Sequence, residues 1–281
     1  MNSTTESHAR IWFITGISRG FGKVLTEMLL SRGEIVIGTT RGGTCDIAGD
    51  CRNLHVLKLE ITDPDAITRS VKAAFEIHGR VDVVVNNAGY GLLGSIEEAS
   101  EREVADLFEV NFHGPRRVIQ AALPLLRAQG TGHIINVTSI AGIAPAAGSG
   151  FYAAAKSAVE GMSQSLSKEL APLNIHVTLV EPGAFRTDFL SPDSIRLSAG
   201  GLEAYAPTVG AARSALAEMT GKQRGDPRRA ASAIIAAVDC EKPPLHLVLG
   251  PDAYARTRDM LAAFSAELDA WEGVAGHTDF E

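Results

Sequence analysis

Tyr152 and Lys156 stand one helical turn apart in Phe-Tyr-Ala-Ala-Ala-Lys. Side chains at i and i+4 of a helix share a face with Cβ atoms about 5–6 Å apart, so this spacing lets a phenol and an ammonium lie side by side. A free tyrosine ionises near pH ~10, and acid/base work near neutrality needs a shift of about three units, or ~4 kcal/mol at ~1.4 kcal/mol per unit. A fixed ammonium roughly 4 Å away supplies ~4 kcal/mol at an effective dielectric of about 20, so one lysine is nearly enough. Upstream, Ser139 and Asn111 offer a hydroxyl and an amide that complete a proton-transfer site for carbonyl chemistry. Singly, each residue has a plainer use: Tyr152 in a core, Lys156 as a solvated helix charge, Ser139 as a cap, Asn111 as a turn former.

Hydrophobic periodicity shows the elements that must hold these residues. Ile11 to Thr15 is an apolar run that breaks at Gly16, and between Gly20 and Arg32 apolar residues recur at helical spacing through Val24, Leu25, Met28 and Leu29. That pattern predicts strand, turn, helix. Further strands are predicted near 34–40, 54–60, 81–86, 133–138, 174–181 and 245–249, rich in Val, Ile or Leu and without polar alternation, as in strands buried on both faces. Helices near 64–78, 100–129, 150–171 and 227–239 complete a βα rhythm. The expected fold is α/β: a single-domain, Rossmann-type doubly wound, mainly parallel seven-stranded sheet with helices on both faces, spanning 1–281. Residues 1–9 read as a polar tail and 251–281 as a C-terminal helical extension. Residues 188–225, with Pro192, Gly200, Gly201, Pro207, Gly221 and Gly225, depart from the rhythm and predict a mobile helical insertion over the site.

Thr15-Gly-Ile-Ser-Arg-Gly-Phe-Gly22 lies between the first strand and the first helix, where glycines permit close backbone approach and a helix N-terminus offers amide donors to a phosphate. A tight strand-to-helix turn alone would also explain these glycines. Their spacing is GxxxGxG, and at this point the chain resembles the short-chain dehydrogenase/reductase family over roughly residues 10–190. The motifs that carry the resemblance occur in the family's order: the glycine turn, Asn86-Asn-Ala-Gly89, Asn111, Ser139, the Tyr152/Lys156 pair, and Pro182-Gly183 followed by Thr187. With the helix after the last strand, the layout resembles the longer, steroid-dehydrogenase-like members.

The resemblance implies a nicotinamide nucleotide held by Gly16, Ser18, Arg19, Gly20, Phe21, Gly22, Arg41, Glu60, Ile61, Asn87, Ala88, Gly89, Tyr152, Lys156, Pro182, Gly183, Phe185 and Thr187, with no metal. After the second strand, where NAD would meet a carboxylate, the chain reads Thr39-Thr40-Arg41. Arg41 and Arg19 can pair with a 2′-phosphate and no acid stands there to repel it, so the expected cofactor is NADP(H); the lesser alternative is that both arginines are solvated surface charges. Glu60 stands where the family usually has Asp, which puts the adenine contact in question. By resemblance, Tyr152 is the general acid/base, Lys156 lowers its pKa and holds the nicotinamide ribose, and Ser139 orients and polarises the substrate oxygen. Asn111 bends its helix and holds a water linking Lys156 to solvent. Thr187 contacts the carboxamide. The implied reaction is hydride transfer between a ketone or aldehyde and the alcohol.

A net charge of −7 and ordinary charged content disfavour nucleic acid or an anionic membrane as partner. Cys45, Cys51 and Cys240 form no CxxC pair, so neither a disulfide framework nor a zinc site is indicated, and the expected location is cytoplasmic. No signal peptide or membrane span is expected. Tyr90, Leu92, Leu93, Ile143, Phe185, Leu190, Leu197, Leu202 and Tyr205 are candidate walls of an apolar substrate pocket, or else core. A homodimer or homotetramer is expected through the helices near 100–129 and 150–171, where Ala154, Ala158 and Gly161 permit close packing. Two other functions fit parts of the pattern. Gly16 to Gly20 also reads GxSxG, which would make Ser18 a hydrolase nucleophile with His246 or His277 as base, and an NADP-binding sensor would need the nucleotide site without the reaction.

Overall fold

The computed structural model describes residues 9–191 and 194–280, so most of the polar tail, Pro192 and the terminal Glu281 lie outside the described residues. The chain runs β1 (Ile11–Thr15), α1 (Gly20–Ser31), β2 (Ile35–Thr40), β3 (Leu54–Lys58), α2 (Pro64–His78), β4 (Val83–Asn86) and β5 (Gly91–Leu93). It continues through α3 (Glu101–Phe108), α4 (Gly114–Gln129), β6 (Gly132–Val137), α5 (Gly150–Leu170), β7 (Ile175–Pro182) and β8 (Ile195–Leu197). It closes with α6 (Ala211–Met219), α7 (Pro227–Asp239), β9 (His246–Leu249) and α8 (Pro251–Ala275).

Seven strands form one sheet in the order β3-β2-β1-β4-β6-β7-β9, every pair parallel. The order reverses beside β1, so β1 and β4 flank the crevice where such sheets take ligands. Alternation along each strand divides the core. Ile11 and Phe13 face one layer with Ile37, Val84 and Ile134, against α2 and α4 residues such as Ile67, Val118 and Leu126. Trp12 and Ile14 face the other with Val36, Val85 and Ile135, against α1 and α7 residues such as Leu29 and Ile234. Each fully buried aliphatic or aromatic side chain contributes roughly 1.5–3 kcal/mol, which is why these strands carry no polar alternation.

Helix starts follow local chemistry. Asp63 and Asp226 cap α2 and α7, each followed by Pro at the first helical position, and Ser100 with Glu103 forms a reciprocal capping box on α3. The helix expected over 100–129 is broken by a wide turn, Glu109–His113, with Asn111 at its centre. The insertion at 188–225 contains α6, as the composition implied, but also β8, which pairs in parallel with β5 as a two-stranded sheet that the sequence did not indicate. Among the described residues no helix is long and apolar enough to cross a membrane.

Candidate active site

The strand-to-helix turn after β1 is held by its neighbours rather than by itself. Gly16 and Ile17 donate their N–H groups to the Thr39 carbonyl, 3.1 Å each, and Asn87 Nδ2 donates to the carbonyls of Thr15 and Gly16 at 3.0 and 2.8 Å. Gly16 and Gly20 have φ of +74° and +59°, in the left-handed region that favours glycine. Gly22 is required for a different reason. A Cβ there would sit 2.3 Å from the Gly16 carbonyl oxygen and 2.5 Å from Asn87 Nδ2, so the first turn of α1 touches the loop before it. Gly22 therefore packs behind the turn, outside the cavity wall.

A cavity of about 660 Å³ opens over the C-terminal ends of β1, β4, β6 and β7. Its wall includes Gly16, Ser18, Arg19, Gly20, Phe21, Arg41, Glu60, Ile61, Asn87, Ala88, Gly89, Pro182, Gly183, Phe185 and Thr187, together with Ser139, Tyr152 and Lys156. Arg41 follows β2 directly, at an exposed position. Glu60 uses one carboxylate oxygen to accept from the Thr62 N–H and hydroxyl, at 3.3 and 3.1 Å.

Tyr152 and Lys156 sit on the first turns of α5, only 8% and 6% exposed. Lys156 Nζ lies 5.8 Å from the centre of the Tyr152 ring and donates to the Val137 carbonyl at 2.9 Å. Ser139 follows β6 and is hydrogen-bonded to the Tyr152 hydroxyl, while its Oγ also accepts from the Ala141 N–H at 3.1 Å. Burial pushes the phenol up to about 12, with the Ser139 hydrogen bond acting against it. This is opposite to the shift expected from the lysine alone. Desolvation of the phenolate dominates, and the neighbouring ammonium is itself disfavoured, since burial pushes Lys156 down to about 8 against the opposing charge of Glu160.

Asn111, expected to bend its helix and hold a water, lies buried in the wide turn Glu109–His113. Its Oδ1 accepts from the Tyr90 N–H at 3.1 Å and its Nδ2 donates to the Tyr90 carbonyl at 2.7 Å, so both ends of the amide clamp the chain entering β5. The site remains close, because a Cβ on Gly89 would meet Asn111 Oδ1 at 3.1 Å and Lys156 Nζ at 3.6 Å. Thr187 caps the short turn after it, its Oγ1 accepting from Phe189 N at 3.2 Å.

Several working residues carry no motif. Asp252, in the first turn of α8, accepts from the Ala184 N–H at 2.8 Å and crowds Gly183, fixing the segment after β7. Behind Lys156, one further turn along α5, Glu160 meets Glu181 of β7 and His246 of β9, with ligand-type atoms all within 4.8 Å. His246 Nδ1 and Glu181 Oε1 are hydrogen-bonded at 2.5 Å, and burial pushes both carboxyls up to about 7. Buried carboxyls this close share a proton rather than ionise together. That bond also commits the histidine nominated as partner to Ser18, while His277 lies exposed beyond α8.

Of the expected substrate-pocket residues, Tyr90, Leu93, Phe185 and Leu190 line the cavity. Leu92 is core, Ile143 packs beneath α8, Leu197 and Leu202 face solvent, and the Tyr205 hydroxyl donates to Glu97 at 2.8 Å. Phe189, Ile195, Leu216 and Met219 take their places; they lie in the insertion, whose path has no periodic signal.

The chain belongs to the short-chain dehydrogenase family, a family of oxidoreductases, whose model, described as short chain dehydrogenase, matches residues 10–196. It is similar to a 3-ketodihydrosphingosine reductase from Bacteroides thetaiotaomicron, 37% identical over 243 residues covering 86% of this chain and 88% of the relative. The crystal structure of a short-chain dehydrogenase from Streptomyces avermitilis is 39% identical, covers 97% of this chain and 100% of its own, and superposes with a TM-score of 0.88. The fold is shared with family structures from Burkholderia phymatum in complex with NAD (TM-score 0.79, 21% identity, 94% of this chain and 96% of the other) and Burkholderia cenocepacia in complex with NADP (0.73, 23%, 94% and 97%).

Proposed function

We propose that the protein is an NADP(H)-dependent reductase of an apolar ketone or aldehyde, with Tyr152 giving the proton. The observation that carries this reading is that Ser139, Tyr152 and Lys156 open onto the same cavity as the glycine turn. Gly16, Ser18, Gly20 and the Asn87–Gly89 segment would hold the nucleotide, whose dihydronicotinamide supplies hydride when bound. The residues present fit that group: the backbone N–H groups at the start of α1 suit a phosphate, and Arg41 after β2, where no acid stands, suits a 2′-phosphate. Structures of the same fold in complex with NAD and with NADP support a nicotinamide nucleotide as the class.

The protein's own contribution is proton supply. A phenol pushed up to about 12 stays protonated in neutral water, which is the form needed to give a proton to a carbonyl oxygen as it gains negative charge. Ser139 steadies that oxygen with a second hydrogen bond, and the Lys156 ammonium favours the phenolate left behind. The protonated phenol is the form that serves the reductive step. The pocket beyond Tyr152 is bounded by Phe189, Leu190, Ile195, Leu216 and Met219, which suits an apolar substrate; similarity to a relative named 3-ketodihydrosphingosine reductase is consistent with it. Oxidation of NADPH in the presence of a panel of apolar ketones and aldehydes tests the reading. Carbonyl-dependent oxidation is expected, whereas NADPH binding without turnover across the panel would favour a sensor.

A further inference from the structure

α8 leaves the body of the protein. Its root is anchored, with Ala253 fully buried, Met260 packed against the cluster of Ile140, Ala144 and Ala253, and Arg256 bonded to the Ala144 carbonyl. From Leu261 onward every described residue is exposed, so the last 15 residues of the helix, roughly 22 Å, project into solvent. Isolated helices of this length are marginal in water, because helical stability in proteins comes mostly from packing an apolar face. The projecting part has such a face. Leu261, Phe264, Leu268 and Trp271 are 55%, 56%, 57% and 64% exposed and alternate at three and four residues, the seam of a coiled coil.

We propose that this face is an interface with a second copy of the chain, the two α8 helices pairing antiparallel about a two-fold axis. Charge decides the orientation. Arg256 and Arg258 lie in the first half of the helix, which also holds Asp252 and Asp259, and Glu267, Asp269 and Glu272 lie in the second, so antiparallel pairing brings an arginine to the acidic half whereas parallel pairing stacks acid on acid. One register satisfies the rest. With Leu261 facing Trp271 of the second copy, Phe264 faces Leu268, Met260 meets Val274, and Arg258 approaches Glu272, each contact made twice as an isologous interface requires. Its unfavourable contacts are Glu267 with itself at the axis and Asp259, on the outer flank, near Glu272. A membrane surface suits this helix poorly, because its projecting polar face is acidic where a lipid-bound helix carries Lys and Arg. The surface is separate from the α4 and α5 faces, where Ala154 and Gly161 are exposed and Ala158 is half-buried.

Sedimentation of the full chain and of the double variant Leu268→Glu/Trp271→Glu tests the interface, with circular dichroism as a control for folding that does not depend on activity. Both positions stand clear of the body, so the variant is expected to keep its fold while self-association weakens at least ~30-fold and the particle mass halves. Arg258→Glu and Glu272→Arg should each weaken association alone and restore it when mixed, a complementation that antiparallel pairing permits. A wild-type chain that is monomeric, a double variant of unchanged mass, or lipid-vesicle binding that the double variant abolishes in a monomeric protein would each overturn the proposal.

Discussion

Lys156 Nζ, 5.8 Å from the centre of the Tyr152 ring, spends a hydrogen bond on the Val137 carbonyl at the end of β6. The lysine is thus pinned to the sheet, and the sheet rather than the helix spacing alone fixes where the charge stands relative to the phenol. That charge is conditional. Burial pushes Lys156 down to about 8, and the negative charge of Glu160, one turn further along α5, works to hold it up.

Carbonyl reduction should therefore lose rate on the alkaline side as Lys156 gives up its proton, with a limb near pH 8 in kcat/KM. Glu160→Gln removes the supporting charge and should move that limb to lower pH while leaving the neutral-pH rate within several-fold. A limb that stays where it is in the variant would show that Glu160 does not act on the lysine.

The same carboxyls should make stability fall with pH. Glu160 and Glu181 are pushed up to about 7 by burial, from an ordinary value of 4.5, so between these values the folded chain binds more protons than the unfolded one. Stability then decreases as pH rises through that window and the loss is complete above it. Glu160→Gln should raise the thermal midpoint at pH ~8 and have little effect at pH ~5, where the wild-type carboxyl is already neutral. Equal effects at both pH values would contradict the assignment.

Gly22→Ala should destabilise the protein by about 1–3 kcal/mol, because its Cβ meets two backbone-anchored atoms that cannot withdraw. Those atoms, the Gly16 carbonyl oxygen and Asn87 Nδ2, also shape the nucleotide turn. A lower thermal midpoint together with weaker NADPH binding is expected in calorimetry and titration. A variant matching wild type in both would show that the turn relaxes freely.

Arg41→Ala should weaken use of NADPH and leave NADH nearly unaffected. Losing a charge-assisted bond to a 2′-phosphate costs about 1.5–3 kcal/mol, or roughly 10- to 100-fold in kcat/KM. Similar losses with both cofactors would mean that Arg41 reads something other than the phosphate.

The sequence made the sheet visible because strands such as β1, β4 and β6 are buried on both faces and so show Val- and Ile-rich runs without polar alternation. β5 and β8 escaped notice because three residues are too few for any period to register. The wide turn at Asn111 leaves no mark in the hydrophobic period, and only the resemblance, which implied that Asn111 bends its helix, pointed to it. The glycine turn and Tyr152/Lys156 were legible because their chemistry is local. The meeting of Glu160, Glu181 and His246 was not, because it depends on the stacking of α5, β7 and β9; the only local sign is an acid repeating the i+4 spacing after Lys156. The phenol's upward shift was missed for a related reason, as spacing reports a neighbouring charge but not the depth of burial.

Replacing Tyr152 by Phe tests the central claim most directly, because it removes the hydroxyl and keeps the ring that packs 6.0 Å from Phe189. The variant should fold, bind NADPH as wild type does, and reduce a carbonyl substrate about 100- to 10,000-fold more slowly. A folded Tyr152→Phe protein that binds NADPH and turns over at the wild-type rate would contradict the account.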